Sequence, residues 1–192
     1  IGIISSALPL ITVSLSVGLP SWVLINKDFT TTLYNFEDRN TKVTYNYGFW
    51  TYCLDMSRRY LVVSTCESRE RFGWETSVLW LLIATSFLGV VTLLFSVFVL
   101  WRKTISYRII ATVSAFLSGI LATCAVLSYQ NNVSSASVEI GGLIKAELTT
   151  EYLSHCYRLA AVSVVSFIIC GVLNILAMVV YSSPATVEPL DT

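Results

Sequence analysis

The sequence predicts a membrane all-α four-helix bundle that carries a small extracellular antiparallel β-sheet. Of the 192 residues, 55% are hydrophobic and only 12% are charged, whereas about 25% are charged in an ordinary soluble domain. The mean hydropathy of +0.70 is concentrated in four long apolar stretches. Between the first two stretches the composition changes to Thr, Tyr, Phe, Val and Asn, which is typical of strands. These observations exclude an ordinary water-soluble protein.

Each of the four apolar stretches is long enough to cross about 30 Å of hydrocarbon, which takes about 20 helical residues. They are Ile1–Ile25, Ser77–Trp101, Ile109–Tyr129 and Tyr157–Tyr181. Only the fourth holds a charge, Arg158, and it lies beside the start of the stretch, where a long side chain can reach the headgroups. A cleaved signal peptide is the alternative for the first stretch, although no small-residue cleavage site follows it. We therefore expect four spanning helices.

The basic residues between the second and third stretches set the expected orientation. This connection holds Arg102, Lys103 and Arg108 and no acidic residue, so the positive-inside rule predicts that it is cytoplasmic. We therefore expect a multi-pass plasma-membrane protein with both termini in the cytoplasm. The segments outside the helices are then an outer loop at 26–76, an inner connection at 102–108, an outer loop at 130–156 and an inner tail at 182–192.

The first outer loop is expected to fold as a four-stranded antiparallel meander closed by a disulfide. If the last two strands pair about their turn, Cys53 comes opposite Cys66, close enough for a bridge in the oxidising exterior. Two unpaired surface thiols are the alternative. A loop of this size stabilises the fold by about 3 kcal/mol when closed. The predicted strands are Phe29–Phe36, Thr41–Tyr47, Phe49–Asp55 and Tyr60–Cys66, with turns at Glu37–Asn40 and Met56–Arg59.

Several classes of function are excluded by charge and residue types. Twelve basic residues balance twelve acidic ones, so no basic field is available for nucleic acid. One His and five Cys without a C-x-x-C pair predict neither a metal site nor a redox motif. His155 and Cys156 are adjacent, but consecutive helical residues point about 100° apart, which favours an unpaired thiol over a catalytic dyad. We expect no enzyme, no cofactor, no metal and no small-molecule substrate, and we expect membrane lipid and other proteins as partners.

Two lines of small or polar residues on the third and fourth stretches are candidate helix contacts. Small residues let helices approach closely in lipid, and an amide at mid-membrane depth is costly unless it is hydrogen-bonded. Two interpretations stay open, because such lines either bind a partner chain or pack the four helices against each other. The residues are Ala111, Ala115 and Gly119 on the third stretch and Ser166, Cys170 and Asn174 on the fourth.

The outer loops offer further candidates. Asp55, Arg58 and Arg59 are predicted at a hairpin tip, where binding residues are often found, although a plain solvated turn needs no function. Asn132 begins the sequon Asn-Val-Ser on the outer side, so it is either a glycosylation site or too close to the bilayer to be modified. Trp22, Trp50 and Trp74 are candidate interface anchors facing headgroups, although for Trp50 we favour packing under the sheet beside the disulfide.

One motif in the first outer loop resembles a family signature. The run Gly48–Cys53 followed by Cys66 is similar to the Gly-Leu-Trp-x-x-Cys and second Cys of the claudin superfamily, with Phe49 in the place of Leu. The run Leu19–Trp22 resembles the tryptophan-bearing exit of the first helix in that superfamily. The resemblance covers essentially the whole chain and implies a claudin-like fold. Its signature residues here are Trp22, Gly48, Phe49 and Trp50.

Within that superfamily, Tyr47–Cys53 and the pair His155–Cys156 are most similar to the lipoma-HMGIC-fusion-partner-like (LHFPL) tetraspans. This resemblance implies an auxiliary, regulatory or trafficking subunit of an ion channel or neurotransmitter receptor complex, similar to the transmembrane AMPA-receptor regulatory proteins. The expected partners are pore-forming channel or receptor subunits, bound through the third and fourth helices and the outer sheet. A claudin-type cell-junction adhesion or paracellular barrier protein is the alternative.

Overall fold

The computed structural model describes residues 2–19, 21–30, 40–58, 61–68, 72–102, 105–133, 137–140, 144–147 and 153–182. These residues form a helical bundle with a four-stranded sheet at one end. The helices are α1 (Gly2–Gly18), α2 (Gly73–Arg102), α3 (Ile105–Val133) and α4 (His155–Ser182). The strands are β1 (Val23–Thr30), β2 (Asn40–Tyr47), β3 (Thr51–Arg58), β4 (Leu61–Ser68), β5 (Ser137–Ile140) and β6 (Ile144–Glu147).

Three of the helices, α2, α3 and α4, are long and apolar enough to cross a membrane. Helix α1 is equally apolar but has 17 residues, because it ends at Gly18. The predicted first span, which runs to Ile25, is therefore too long at its outer end. The chain enters β1 at Val23 instead, and Val23 and Ile25 point to one face of the sheet. The apolar residues at the end of α1 are followed closely by those at the start of β1, so hydropathy alone shows a single apolar stretch and does not locate the end of the helix.

The helices pack in chain order, and α4 closes the bundle against α1. Phe167 of α4 is fully buried, and glycines leave room for its ring. A Cβ atom on Gly89 of α2 would lie 3.1 Å from Phe167 Cζ and 3.2 Å from Leu10 Cδ1 of α1. Gly171 of α4 makes similar room for the ring of Phe116. Close approach at small residues is how helices associate in lipid.

Buried hydroxyl groups also lie within the helices. Each of them donates a hydrogen bond to a backbone carbonyl of its own helix, as hydroxyls in helices commonly do. The hydroxyls of Thr92 on α2 and Ser114 on α3 also lie 2.9 Å apart and link the two helices. The buried hydroxyl residues are Ser6, Thr12, Ser16, Thr85, Thr92, Ser96, Thr112, Ser114, Ser118 and Ser163.

The four-stranded sheet is the predicted antiparallel meander in the order β1-β2-β3-β4. Cys53 of β3 lies directly opposite Cys66 of β4 and forms a disulfide with it, as predicted. A second, two-stranded sheet of β5 and β6 was not expected. The fold class is thus confirmed at the level of a mainly helical chain with a small antiparallel sheet.

Two details of the sheet prediction are wrong. The first strand begins at Val23 rather than Phe29, and the predicted residues 31–36 lie outside the described part of the chain. The Thr-rich run around those residues has strand-like composition, so the prediction placed the first strand there and missed its earlier start. Met56, Ser57 and Arg58 belong to β3 instead of a turn, while Arg59 lies outside the described residues.

The two faces of the sheet differ in polarity. The face that carries Val23, Ile25 and Tyr47 is buried against the bundle. The opposite face carries polar side chains such as Asn46 and Asp55 together with the disulfide. Burial falls from β1 outwards, and every side chain described on β4, at 63–68, is exposed. The sheet is therefore seated on the bundle at β1, and β4 is its outermost strand.

Candidate partner-binding surfaces

Five aromatic side chains fill the space between the sheet and the outer helix ends. We call this cluster the outer joint, and it consists of Trp22, Phe49, Trp74, Tyr129 and Tyr157. The indole of Trp22 is completely buried at its centre, with ring centroids 4.6 Å from both Phe49 and Tyr129. Trp74 and Tyr157 complete the cluster against Tyr129. Trp22 is thus packed inside the protein, so the expectation that it faces headgroups is wrong, and Trp74 is partly buried against the same cluster.

Hydrogen bonds fix Trp22 to three different elements. Its indole Nε1–H donates to the carbonyl of Ser16 in α1 at 2.6 Å. Its backbone N–H donates to the carbonyl of Tyr47 in β2 at 2.9 Å, and its carbonyl accepts the N–H of Ser154 before α4 at 3.0 Å. Because these bonds are buried, they fix the direction in which the chain leaves the bundle.

The signature motif forms the turn between β2 and β3. The Gly48 N–H donates to the Thr51 carbonyl at 3.0 Å and closes the turn. Phe49 is buried in the outer joint, whereas Trp50 is 44% exposed and its Nε1–H donates to the Val17 carbonyl of α1 at 2.9 Å. Phe49, and not Trp50, therefore occupies the position predicted under the sheet. The signature residues fasten the sheet to the bundle.

The adjacent pair His155 and Cys156 does not form a common site. Cys156 is buried, and its thiol lies 3.7 Å from the Leu19 carbonyl as a hydrogen-bond donor. Its backbone N–H donates to the Ser21 carbonyl at 3.2 Å, while His155 is exposed. Cys156 ties the start of α4 to the chain segment that follows α1.

The small residues predicted on the third stretch are packed inside the bundle. Ala111 and Ala115 are fully buried, so in this structure they have no surface to offer a second chain. Gly119 faces α4, where a Cβ atom would lie 3.4 Å from Cγ1 of Ile168. This arrangement corresponds to the internal-packing alternative that the sequence left open.

The polar line on α4 is also bonded within the chain. The Cys170 sulfur accepts the hydroxyl of Ser5 in α1 at 4.0 Å and the amide of Asn174 at 3.7 Å. The Ser166 hydroxyl donates to the Val162 carbonyl of its own helix. The described hydrogen bond of the Asn174 amide therefore stays within α4, and the contact between Ser5 and Cys170 joins α1 to α4.

An apolar groove opens sideways between α3 and α4, on the surface that would face the membrane. It has a volume of about 330 Å³. The lining residues of this α3–α4 groove are Phe116, Gly119, Ile120, Thr123, Cys124 and Ile168.

The predicted hairpin-tip and sequon residues have ordinary structural roles where they are described. Asp55 lies within β3, and its carboxylate accepts the Asn46 amide at 3.3 Å. Arg58 ends β3, and Arg59 lies outside the described residues. Asn132 is half-buried in the last turn of α3, and its amide donates to the Ser128 carbonyl at 2.7 Å. Glycosylation of Asn132 and partner binding at the tip stay predictions.

The two ends of the bundle carry different polar groups. At the outer sheet, the Tyr52 hydroxyl donates to Glu67, which raises the pKa of Tyr52 above its usual value. At the opposite end, Nη1 of Arg108 donates to the Ala177 carbonyl of α4 at 3.0 Å. Arg108 was predicted in the connection 102–108 but lies in the first turns of α3, because α2 runs to Arg102 and α3 begins at Ile105. Its hydrogen bond stabilises the C-terminal part of α4.

Neither a known protein-family model nor a curated protein matches the chain. Membership of the claudin superfamily therefore stays a prediction that rests on the residues Gly48–Cys53, Cys66 and Trp22.

Proposed function

We propose that this chain is an auxiliary transmembrane subunit of an ion channel or neurotransmitter receptor complex in the plasma membrane. In this proposal α1 to α4 all cross the bilayer, both termini are cytoplasmic, and the disulfide-closed sheet is extracellular. A transmembrane helix of the partner docks on α3 and α4, and the sheet contacts the partner's outer domain. The similarity of the sequences Tyr47–Cys53 and His155–Cys156 to those of the LHFPL tetraspans supports this class of function.

The α3–α4 groove is the observation that carries the proposal. Helices associate in lipid through close packing of complementary shapes, and the groove offers a concave apolar surface on the two helices that the resemblance implicates. Ile120 beside it is 62% exposed, so it can insert between side chains of a neighbouring helix. The outer joint keeps the sheet at a fixed height above this groove, which allows both surfaces to contact one partner.

A groove-filling variant tests the proposal. Cys124→Phe places a ring in the groove from an exposed position, and Val90→Phe adds the same ring to an exposed site of α2 outside it. After purification from native membranes in mild detergent, the wild-type chain and Val90→Phe should retain a channel or receptor subunit, and Cys124→Phe should lose it. A wild-type chain that emerges alone, or equal retention by both variants, would contradict the proposal.

A claudin-type junction protein is the second candidate, supported by the Gly48–Cys53 motif and its disulfide partner Cys66. It requires rows of identical subunits between cells. Freeze-fracture strands formed by this chain in cells without other claudins would favour it over the auxiliary subunit.

A further inference from the structure

The α3–α4 groove runs along the helices, parallel to the direction in which lipid chains lie. Its α3 side extends from Phe116 to Cys124, which is about 12 Å of helix. Ile168 of α4 forms the other side, and a Cβ atom on Gly119 would lie 3.4 Å from its Cγ1. At the end away from the outer joint, the ring of Phe116 packs against Gly171. The groove is therefore a long slot that is bounded at one end by an aromatic ring.

The lining of the groove offers little to a polar ligand. The Thr123 hydroxyl donates to the Gly119 carbonyl at 2.7 Å, and the other lining side chains are apolar except for the thiol of Cys124. A thiol is only a weak hydrogen-bonding group, so a hydroxyl or charged group in the groove would be desolvated without adequate compensation. The groove therefore suits a hydrocarbon chain.

The size and depth of the groove fit one acyl chain. An apolar cavity of about 150 Å³ holds one benzene molecule, so the groove volume of about 330 Å³ gives room for roughly a dozen carbon atoms. Cys124 and Phe116 lie five and thirteen residues before Tyr129 of the outer joint, which places them roughly 8 and 20 Å below it. With a hydrocarbon core of about 30 Å, the groove lies mainly in the leaflet next to the outer joint.

From these observations we infer that the groove holds one acyl chain of a phospholipid, from the leaflet next to the outer joint, as long as no partner is bound. Left empty, the groove would lose the dispersion contacts of its lining, and water does not fill apolar cavities. Ile120 is 62% exposed and Ile168 is 44% exposed, so an acyl chain reaches the groove sideways from the bilayer. An acyl chain bound here stays parallel to its neighbours, and its headgroup stays at the membrane surface.

The bound lipid adds a regulatory step to the proposed function, and this step alone rests on that function. A partner helix that docks on α3 and α4 has to displace the acyl chain, so assembly exchanges a lipid for a helix. Occupancy of the groove by lipid requires no partner. A protein that purifies without a partner would therefore contradict the proposed function and leave the lipid site in place.

Photo-cross-linking with a modified lipid tests the occupant. The purified protein without a partner is placed in vesicles of dioleoylphosphatidylcholine that contain a phosphatidylcholine with a diazirine in the middle of one acyl chain. On illumination, Ile120 and Cys124 should be labelled several-fold more than exposed residues outside the groove, because a bound acyl chain stays beside them. The controls are Ile83 of α2 and Val162 of α4, which are exposed and do not line the groove. They lie nine and five residues from the aromatic rings of the outer joint, as the two groove residues do.

Filling the groove separates a bound acyl chain from bulk lipid. Cys124→Phe places a ring in the groove, so labelling of Ile120 should fall to the level of Ile83, while Val90→Phe on α2 should leave it unchanged. Thermal unfolding at the wild-type temperature is the check that both variants are folded. Equal labelling of Ile120 and Ile83 in the wild-type protein would overturn the inference. Loss of the Ile120 label when cholesterol is added to the vesicles would overturn it too, because the occupant would then be a sterol.

Discussion

In the outer joint, five aromatic rings fill the space between the helix ends and the sheet, whereas in the bundle interior the ring of Phe167 packs against glycines. Trp22 in the joint is bonded to three elements and is completely buried. Around Phe167, contact depends on the missing side chains of Gly89 and Gly119. In contact with water, burial of apolar area stabilises packing. In lipid, apolar burial does not favour association of helices, which depends instead on how closely their surfaces approach. We therefore expect deletions to be severe in the joint and insertions to be severe in the bundle.

The largest effect is expected for Trp22→Ala. This change empties the centre of the outer joint and should destabilise the fold by about 3–5 kcal/mol, as other buried aromatic deletions do. Trp50→Ala is the matched control, because Trp50 is 44% exposed and its indole donates a hydrogen bond to the Val17 carbonyl; the change should cost about 1 kcal/mol. Thermal unfolding in detergent measures both, and equal losses would contradict the different roles of the two residues.

The second-largest effect is expected for Cys53→Ser. It removes the closed loop of the sheet, worth about 3 kcal/mol in the chain-entropy model, and should prevent delivery of the chain to the cell surface. Surface biotinylation measures the delivered fraction. Cys124→Ser, which removes a free thiol in α3, should leave delivery unchanged, and normal delivery of Cys53→Ser would show that the sheet folds without its bridge.

An insertion tests the bundle side of the comparison. Gly89→Val forces a branched side chain against Phe167 and Leu10, which already lie within 3.2 Å of the site of a Cβ atom, and should cost about 1–3 kcal/mol. Gly73→Val in the same helix has no atom within 4 Å of that site and should have little effect. If both variants melt at the wild-type temperature, close packing around Phe167 does not determine the stability of the bundle.

The smallest effect is expected for the hydroxyl link between α2 and α3. Thr92→Val keeps the shape of the side chain and removes the contact with Ser114. Hydrogen bonds between membrane helices average about 0.6 kcal/mol in double-mutant cycles, so a cycle of Thr92→Val with Ser114→Ala should give a coupling of that size. A coupling several times larger would mean that hydroxyls and not glycines hold the bundle together.

Local patterns in the sequence predict the elements but not the packing of the outer joint. The three long helices follow from hydropathy, and the pairing of Cys53 with Cys66 follows from the symmetry of one hairpin, because both depend on residues close in the chain. Trp22 and Trp50 are both tryptophans beside the membrane, yet one is buried and the other is exposed. What separates them is contact with Tyr129, more than a hundred residues after Trp22, and no local pattern reports such a contact.

For the candidate surfaces too, the sequence predicts the residues but not their neighbours in the fold. Spacing along one helix identifies Ala111, Ala115 and Gly119 as small, but it does not say which neighbour they face. The α3–α4 groove depends on Ile168 of one helix standing beside Gly119 of another. This surface is therefore a property of two elements together.

The bonds of Ser21 and Trp22 to Ser154 and Cys156 also have a mechanical consequence. They tie the outer ends of α1 and α4 to each other and to the sheet through Tyr47, while α2 and α3 are joined at the far end near Arg102 and Arg108. A force applied to the sheet is therefore transmitted to α1 and α4 through these backbone hydrogen bonds, and to α2 and α3 through the rings of Trp74 and Tyr129 in the outer joint.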